Sequence, residues 1–148
     1  MRLRPLSAAE ADAIASWRYP GEYATYDCDD ADALVDPANE FHAALVDAAL
    51  VGYCCFGSAA RVDGMAEEDG VLDVGWGLRP DLIGHGLGPR LIEEALRRGR
   101  ELHAPREFRI AVLRWNLRAQ RVPAKLGFRE AGSVTADSDD YVLMTCPA

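Results

Sequence analysis

The sequence predicts a mixed α/β domain in which helices pack against one sheet. The chain has 148 residues, which fits a single domain spanning residues 1–148 with one sizeable core. Segments whose apolar residues alternate, as in strands, are separated by segments whose apolar residues recur every three to four positions, as in helices. Near Leu87 the period changes from the first pattern to the second, which predicts a strand–helix–strand crossover in the middle of the chain.

The first half of the chain predicts two helices and four strands. Ser7 and Glu10 form a capping box that starts a helix running to about Trp17. A second, short helix is expected near residues 30–35, after an irregular, aromatic and acidic segment. The four strands are expected at residues 2–6, 41–47, 50–57 and 71–80, with a polar loop at 57–70.

The second half predicts two helices and three strands. Leu87, Leu91 and Ala95 lie four residues apart, which predicts a helix that ends near residue 102. Asn116 is placed to cap the last helix, and Gly127 to end it. Strands are expected at residues 107–115, 128–134 and 140–146. The predicted order is β-α-α-β-β-β-α-β-α-β-β, with no repeat or linker.

Composition and charge exclude several classes of function. The formal net charge is −8, which argues against a nucleic-acid partner because such partners require a basic surface. A cationic substrate is compatible with this charge. No apolar run approaches the length of a membrane span, and the N-terminus lacks a secretory signal, so a cytoplasmic location is expected. The four cysteines form no CxxC pair and the three histidines are dispersed, so no metal site is predicted.

The stretch "RPDLIGHGLGPRL" indicates an anion-binding site at the start of a helix. Gly84, Gly86 and Gly88 alternate just before Pro89, and bare backbone N–H groups at a helix N-terminus attract phosphate oxygens. The alternative is a tight turn that needs glycine for its positive φ angles. A Walker loop is excluded because Lys-Ser/Thr does not follow Gly88. A dinucleotide fingerprint is excluded because Pro89 occupies the position of its third glycine.

Two segments together resemble the GCN5-related N-acetyltransferase (GNAT) family. "LDVGWGLRPDLIGHGLGPRLIEEAL" is similar to the acetyl-CoA-binding core of that family, with its glycine pair at Gly86 and Gly88. "RIAVLRWNLRAQRVPAKLGFRE" is similar to the next block of the family. The residues that match this block are Asn116, Arg118, Ala119, Leu126, Gly127 and Phe128.

The resemblance implies a GNAT-like fold and an acetyl-CoA-dependent activity. The fold would have a mixed, mostly antiparallel sheet of about six to seven strands, flanked by about four helices. The activity would be acetyl transfer by direct attack of a primary amine on a small molecule or peptide, without a metal. The alternatives are a non-catalytic acyl-CoA-binding or sensing domain and, more remotely, a nucleotide-binding module. A homodimer is left open.

The resemblance also implies a cofactor site. The pantetheine arm would lie along the strand that ends at Leu78, with the thioester carbonyl held by a free amide within residues 76–78. The pyrophosphate would rest on the amides from Ile83 to Gly88. The implied cofactor-binding residues are Leu78, Ile83, Gly84, His85, Gly86, Leu87, Gly88 and Asn116.

Two residues depart from the family pattern. Ile83 stands where the family has Arg or Gln, so one side-chain contact to the cofactor is lost. Pro123 stands where the family commonly has a tyrosine beside the cofactor sulfur. A proline inside a helix removes a hydrogen bond, so a kink or restart of the helix is expected there. Without this phenol, the leaving thiolate must take its proton from water or another group, or leave unprotonated.

The remaining candidates concern the acceptor. Asp73 is the candidate general base, because it is the only ionisable residue in the body of its strand. The alternative is a solvated or hydrogen-bonded strand carboxylate. Glu22, Tyr26 and Asp27 lie in the acidic, aromatic loop that walls the acceptor site in the family, and Trp115 ends a strand beside it. For the loop the alternative is an acidic surface, and for Trp115 it is core packing.

Overall fold

The computed structural model of the chain covers residues 1–148 and contains seven strands and four α-helices. The strands are β1 (Arg2–Pro5), β2 (His42–Val46), β3 (Ala49–Phe56), β4 (Val71–Leu78), β5 (Glu107–Leu113), β6 (Arg129–Ala136) and β7 (Asp139–Pro147). The α-helices are α1 (Ala8–Ser16), α2 (Ala31–Val35), α3 (Leu87–His103) and α4 (Leu117–Lys125). The predicted fold class and the predicted order of elements are both confirmed.

All seven strands belong to one sheet, in the order β1-β2-β3-β4-β5-β7-β6. Every neighbouring pair is antiparallel except β4 and β5, which are parallel and are connected through α3. Their ladder is short, because only Val71 to Asp73 pair with Glu107 to Arg109. Beyond Asp73 the two strands continue without pairing, so a gap opens in the middle of the sheet.

Helices cover both faces of the sheet. The apolar side of α3, with Leu91 and Ile92, packs against Cys54 and Phe56 of β3 in the main core. A smaller cluster joins α1 and α2 to Tyr53. Because neighbouring residues of a strand point to opposite faces, Tyr53 and Cys54 place these two clusters on opposite sides of β3. The sheet thus separates α3 from the α1–α2 pair, and the gap connects the two sides.

The capping box predicted for α1 is present. The hydroxyl of Ser7 accepts the backbone N–H of Glu10, and the carboxylate of Glu10 accepts the N–H of Ser7. The same carboxylate binds Arg4 of β1 at 2.7 Å. These contacts fix the direction in which α1 leaves the sheet.

The structure differs from the prediction in three segments. The irregular segment after α1 contains a 3-10 helix at Gly21–Tyr26, and the polar loop after β3 begins with another at Gly57–Ala60. The restart expected at Pro123 is not observed, because α4 continues through this residue to Lys125. The N–H of Leu126 still donates to the carbonyl of Val122 at 3.3 Å, so Pro123 lacks its own hydrogen bond without ending the helix. None of the helices has both the length and the apolar character needed to cross a bilayer.

Candidate active site

A cavity of about 500 Å³ occupies the gap between β4 and β5. One wall is formed by residues 74–78 of β4 and the other by residues 110–112 of β5. The glycine loop and the start of α3 close one end. Phenol rings from the α1–α2 side and the first turns of α4 close the other. These latter residues are Tyr19, Tyr23, Tyr26, Tyr53, Asn116, Arg118 and Ala119.

The β4 wall presents unpaired backbone groups to the cavity. The N–H of Arg79 donates to the carbonyl of Val51 at 2.8 Å, so it points toward β3. Because N–H groups alternate in direction along a strand, those of Trp76 and Leu78 point away from β3, into the gap. The carbonyl of Leu78 faces the same way and accepts the hydroxyl of Tyr19 at 2.6 Å. Two donors for a carbonyl oxygen therefore line this wall.

The glycine loop is both a tight turn that requires glycine and an open stretch of backbone that can bind an anion, the two alternatives that its sequence suggested. Gly84 and Gly86 have φ angles of +85° and +78°, which residues with side chains rarely adopt. Gly88 has no such constraint. A Cβ added at any of the three would meet no protein atom within 4 Å. The turn therefore requires glycine at two positions, and open space lies beside all three.

The N–H groups of this loop are free to bind an anion. Those of Gly84, Gly86, Leu87 and Gly88 take part in none of the hydrogen bonds of the structure, whereas that of His85 donates to the carbonyl of Leu82. Gly86 is the N-cap of α3, a helix of 17 residues, and brings no capping side chain. Free amides at the positive end of a long helix suit a pyrophosphate, so the loop fits the diphosphate of coenzyme A.

Most of the residues predicted to bind the cofactor line the cavity. They are Leu78, Ile83, Gly84, Gly86, Gly88 and Asn116. His85 and Leu87 lie in the same loop, but their side chains point elsewhere: His85 is exposed, and Leu87 packs against the core. Asn116 is buried and caps α4, because its Oδ1 atom accepts the N–H of Ala119 at 3.1 Å.

Of the four residues predicted to bind the acceptor, only Tyr26 lines the cavity. Glu22 is exposed. The carboxylate of Asp27 accepts the backbone N–H of Tyr19 at 2.8 Å, which holds the loop. Trp115 is 39% exposed and its ring lies 5.4 Å from the ring of Tyr23. No carboxylate lines the cavity, and its one charged side chain is Arg118.

The phenol groups of Tyr19, Tyr26 and Tyr53 are hard to ionise. Burial raises the pKa of Tyr19 to about 12, and the nearby carboxylate of Asp27 adds to the effect. Burial also raises the pKa of Tyr53. For Tyr26 burial again raises the pKa, but a hydrogen bond from Asn116 opposes the rise. These three phenols are therefore neutral at neutral pH.

Asp73 lies outside the cavity, in a buried ion-pair cluster. Its two carboxylate oxygens accept Nε and Nη2 of Arg109 at 2.6 and 3.1 Å, and Nη1 of Arg61 approaches at 3.0 Å. The hydrogen bond with Asp73 raises the pKa of Arg109, which also pairs with Glu68. The side chain of Asp73 is 1% exposed and does not line the cavity. The geometry supports the alternative role, a hydrogen-bonded strand carboxylate.

Tyr53 is a cavity residue that the sequence analysis missed. It lies opposite Gly77 in the β3–β4 ladder, and a Cβ added at Gly77 would lie 2.6 Å from its ring. A glycine inside a strand often marks such a close approach, so Gly77 is the sequence feature that could have indicated a large side chain beside β4. Arg118, noted only for its match to the family, stacks on the ring of Tyr23 at 4.5 Å.

Solved structures of acetyltransferases share this fold. A structure of AAC(6')-Ib in complex with ribostamycin and coenzyme A superposes with a TM-score of 0.79 at 22% identity, covering 98% of this chain and 92% of that one. A chimera of spermidine N-acetyltransferase SpeG from Vibrio cholerae and hSSAT gives 0.72 at 17% identity, with coverage of 99% and 94%. Ribosomal-protein-alanine N-acetyltransferase from Brucella melitensis gives 0.74 at 14% identity, with full coverage of both chains.

The sequence itself assigns the family. No curated protein matches the chain closely enough to be a relative. The profile of the acetyltransferase (GNAT) family, however, matches residues 6–128, which include the gap, the glycine loop and α4. The shared fold, the free amides before α3 and this match lead to one conclusion: the chain belongs to the acetyltransferase (GNAT) family.

Proposed function

We propose that this protein transfers the acetyl group of acetyl-CoA to a primary amine of a small molecule or peptide. The observation that carries the proposal is the gap between β4 and β5, with the free N–H groups of Trp76 and Leu78 on one wall and the amides of the glycine loop at its end. Membership of the acetyltransferase family and the fold of the named acetyltransferases agree with it.

The chain's own groups divide between holding the donor and assisting the transfer. The amides of Gly84, Gly86 and Gly88 would hold the pyrophosphate, and β4 would pair with the amides of the pantetheine arm. Asn116 lies where that arm would pass. Ile83 contributes only apolar contact, so binding relies on backbone amides more than on side chains.

Acetyl-CoA supplies an activated acyl group as a thioester. The amine nitrogen attacks the carbonyl carbon, the C–N bond forms, and the C–S bond breaks with its electron pair moving to sulfur. The N–H groups of Trp76 and Leu78 are placed to stabilise the negative charge that builds up on the carbonyl oxygen. Since no carboxylate lines the cavity, water takes the proton that the amine loses.

The acceptor would enter from the α1–α2 side, where aromatic rings form the wall. We propose that Tyr26 and the neighbouring ring of Trp115 contact the acceptor, because aromatic faces attract ammonium groups. Glu22 and Asp27 would act from outside the cavity, drawing a cationic amine toward its mouth. The named acetyltransferases that share this fold act on or bind amines of this kind, spermidine and ribostamycin.

A second candidate function is acyl-CoA binding without catalysis. The observation that favours it is Pro123, which lines the cavity and offers no proton at the position where the family commonly has a tyrosine. A screen of thiol release from acetyl-CoA with amines, amino acids and peptides separates the two functions. Amine-dependent release that disappears in Gly86→Asp supports the transferase. Tight acetyl-CoA binding without release for any amine supports the binding domain.

A further inference from the structure

The departing thiolate needs a proton, and the cavity offers four phenols that can give one. Pro123 has no ionisable group. The candidates are Tyr19, Tyr23, Tyr26 and Tyr53, which all line the cavity. A good acid must have a proton that is not already donated to the protein. It must also have a partner that stabilises the phenolate left behind.

The side chain of Asn116 determines the direction of its hydrogen bond to Tyr26. Its Oδ1 atom is used by α4, because it accepts the N–H of Ala119. Its Nδ2 atom therefore lies at the other end, 2.9 Å from the hydroxyl oxygen of Tyr26. An amide nitrogen only donates, so the oxygen of Tyr26 accepts and its own proton remains available.

The other three phenols lack one of these properties. The hydroxyl of Tyr19 donates its proton to the carbonyl of Leu78. The oxygens of Tyr23 and Tyr53 receive no hydrogen bond from the protein, so neither phenolate would be stabilised by a donor. Tyr26 also lies within the field of the Arg118 guanidinium, whose positive charge favours the phenolate.

Packing holds the ring of Tyr26 in place. Tyr26 is the last residue of the 3-10 helix, and its ring meets that of Tyr19 edge-on with centroids 6.4 Å apart. The hydrogen bond from Asn116 fixes the hydroxyl. Because Asn116 also begins α4, the phenol is tied to the helix that carries Pro123, although the two residues are far apart in the sequence.

We propose that Tyr26 is the catalytic acid of this acetyltransferase and that Asn116 is its positioning residue, an inference that rests on the proposed function. As the C–S bond breaks, the sulfur takes its electron pair and the proton of the Tyr26 hydroxyl, giving the free thiol and a phenolate. The phenolate accepts the N–H of Asn116 and regains a proton from water, which has taken the proton lost by the amine.

The first test compares Tyr26→Phe with Tyr141→Phe, which removes a phenol of β7 outside the cavity, using acetyl-CoA and an amine found active in the screen. The Tyr26 variant is expected to lose kcat by roughly 100-fold, while KM for acetyl-CoA changes little. The wild-type kcat is expected to fall at alkaline pH, as Tyr26 ionises, and this fall should be absent in the Tyr26 variant. The Tyr141 variant should retain both kcat and the alkaline fall.

The second test titrates the phenols of the free protein by ultraviolet difference absorbance. Asn116→Asp keeps an oxygen to cap α4 but replaces the donating amide with an accepting carboxylate. The titration step that disappears in Tyr26→Phe belongs to the Tyr26 phenol. In Asn116→Asp this step should move to a higher pH than in the wild type. Full kcat in Tyr26→Phe, or an unchanged titration in Asn116→Asp, would overturn the role of Tyr26 alone. Absence of thiol release from the wild type would overturn the proposed function and this role together.

Discussion

The hydroxyl of Tyr19 donates a 2.6 Å hydrogen bond to the carbonyl oxygen of Leu78, the last residue of β4. The two residues are 59 positions apart, and the bond joins the segment after α1 to the edge of the gap. It satisfies a carbonyl that has no partner strand, because β5 has already separated from β4. Tyr19 therefore stabilises the gap while its ring forms part of the cavity wall.

This arrangement predicts alkaline instability. Burial raises the pKa of Tyr19 to about 12, whereas an unfolded tyrosine ionises near pH 10. Between these values the unfolded chain binds fewer protons than the native one, so the free energy of unfolding falls as pH rises, and it is unaffected below them. Tyr19→Phe should make this fall shallower and, at neutral pH, cost about 1–3 kcal/mol because the Leu78 carbonyl loses its donor. Urea unfolding across this pH range measures both effects, and an unchanged slope in the variant would contradict the prediction.

The glycine loop predicts a large loss of acetyl-CoA affinity in Gly86→Asp. The added carboxylate would stand among the free amides, where it repels a pyrophosphate and occupies its place. Gly86→Asn is the matched control, since Asn tolerates the left-handed conformation as well as Asp does and has nearly the same size. Calorimetry should show weaker binding for the Asp variant than for the Asn variant, at similar free energies of unfolding. Equal affinities would show that charge at this position is unimportant.

The ion-pair cluster predicts that Asp73→Asn reduces stability more than turnover. The guanidinium of Arg109 is nearly buried and would lose its buried charged partner, keeping only the exposed carboxylate of Glu68. Breaking a buried pair in this way costs roughly 3 kcal/mol or more. Turnover per folded molecule should change little, because Asp73 lies outside the cavity. Thermal unfolding and kcat, measured on the same preparation, separate the effects. A several-fold loss of kcat in fully folded protein would return Asp73 to the role of general base.

A tyrosine introduced at position 123 of α4 should take over the proton donation that we propose for Tyr26. Pro123 is buried and lines the same cavity as Tyr26, so Pro123→Tyr brings a hydroxyl to the cavity and restores a helical N–H. In the Tyr26→Phe background this change should recover part of the lost kcat, while Pro123→Phe should recover none. Equal rates for the two double variants would show that the hydroxyl does not rescue the reaction.

The sequence predicted the elements of the fold well because their apolar periods are clear. The change of period at Leu87 located α3, and Ser7 and Asn116 marked two helix starts that the structure confirms. The 3-10 helix at Gly21–Tyr26 was missed for a physical reason. None of its six residues is fully buried, so no periodic apolar pattern records it.

The candidate site was predictable where a local backbone requirement exists and unpredictable where distant residues meet. Gly84 and Gly86 have positive φ angles, which the alternating glycines indicated. The contacts of Asn116 with Tyr26 and of Asp73 with Arg109 span 90 and 36 positions. Both contacts depend on how β4 and β5 align along only three residue pairs. No local sequence pattern specifies that alignment.

The short junction between β4 and β5 also gives the sheet an internal edge. Unpaired strand edges attract other extended chains, and most proteins cover them. Under the proposed function, a pantetheine arm lying along β4 would cover this edge with its amide groups. The protein's solubility and melting temperature should therefore depend on the supply of coenzyme A, rising with the ratio of its concentration to its dissociation constant. A fall in the concentration of coenzyme A would then lower the stability of the protein as well as the rate of its reaction.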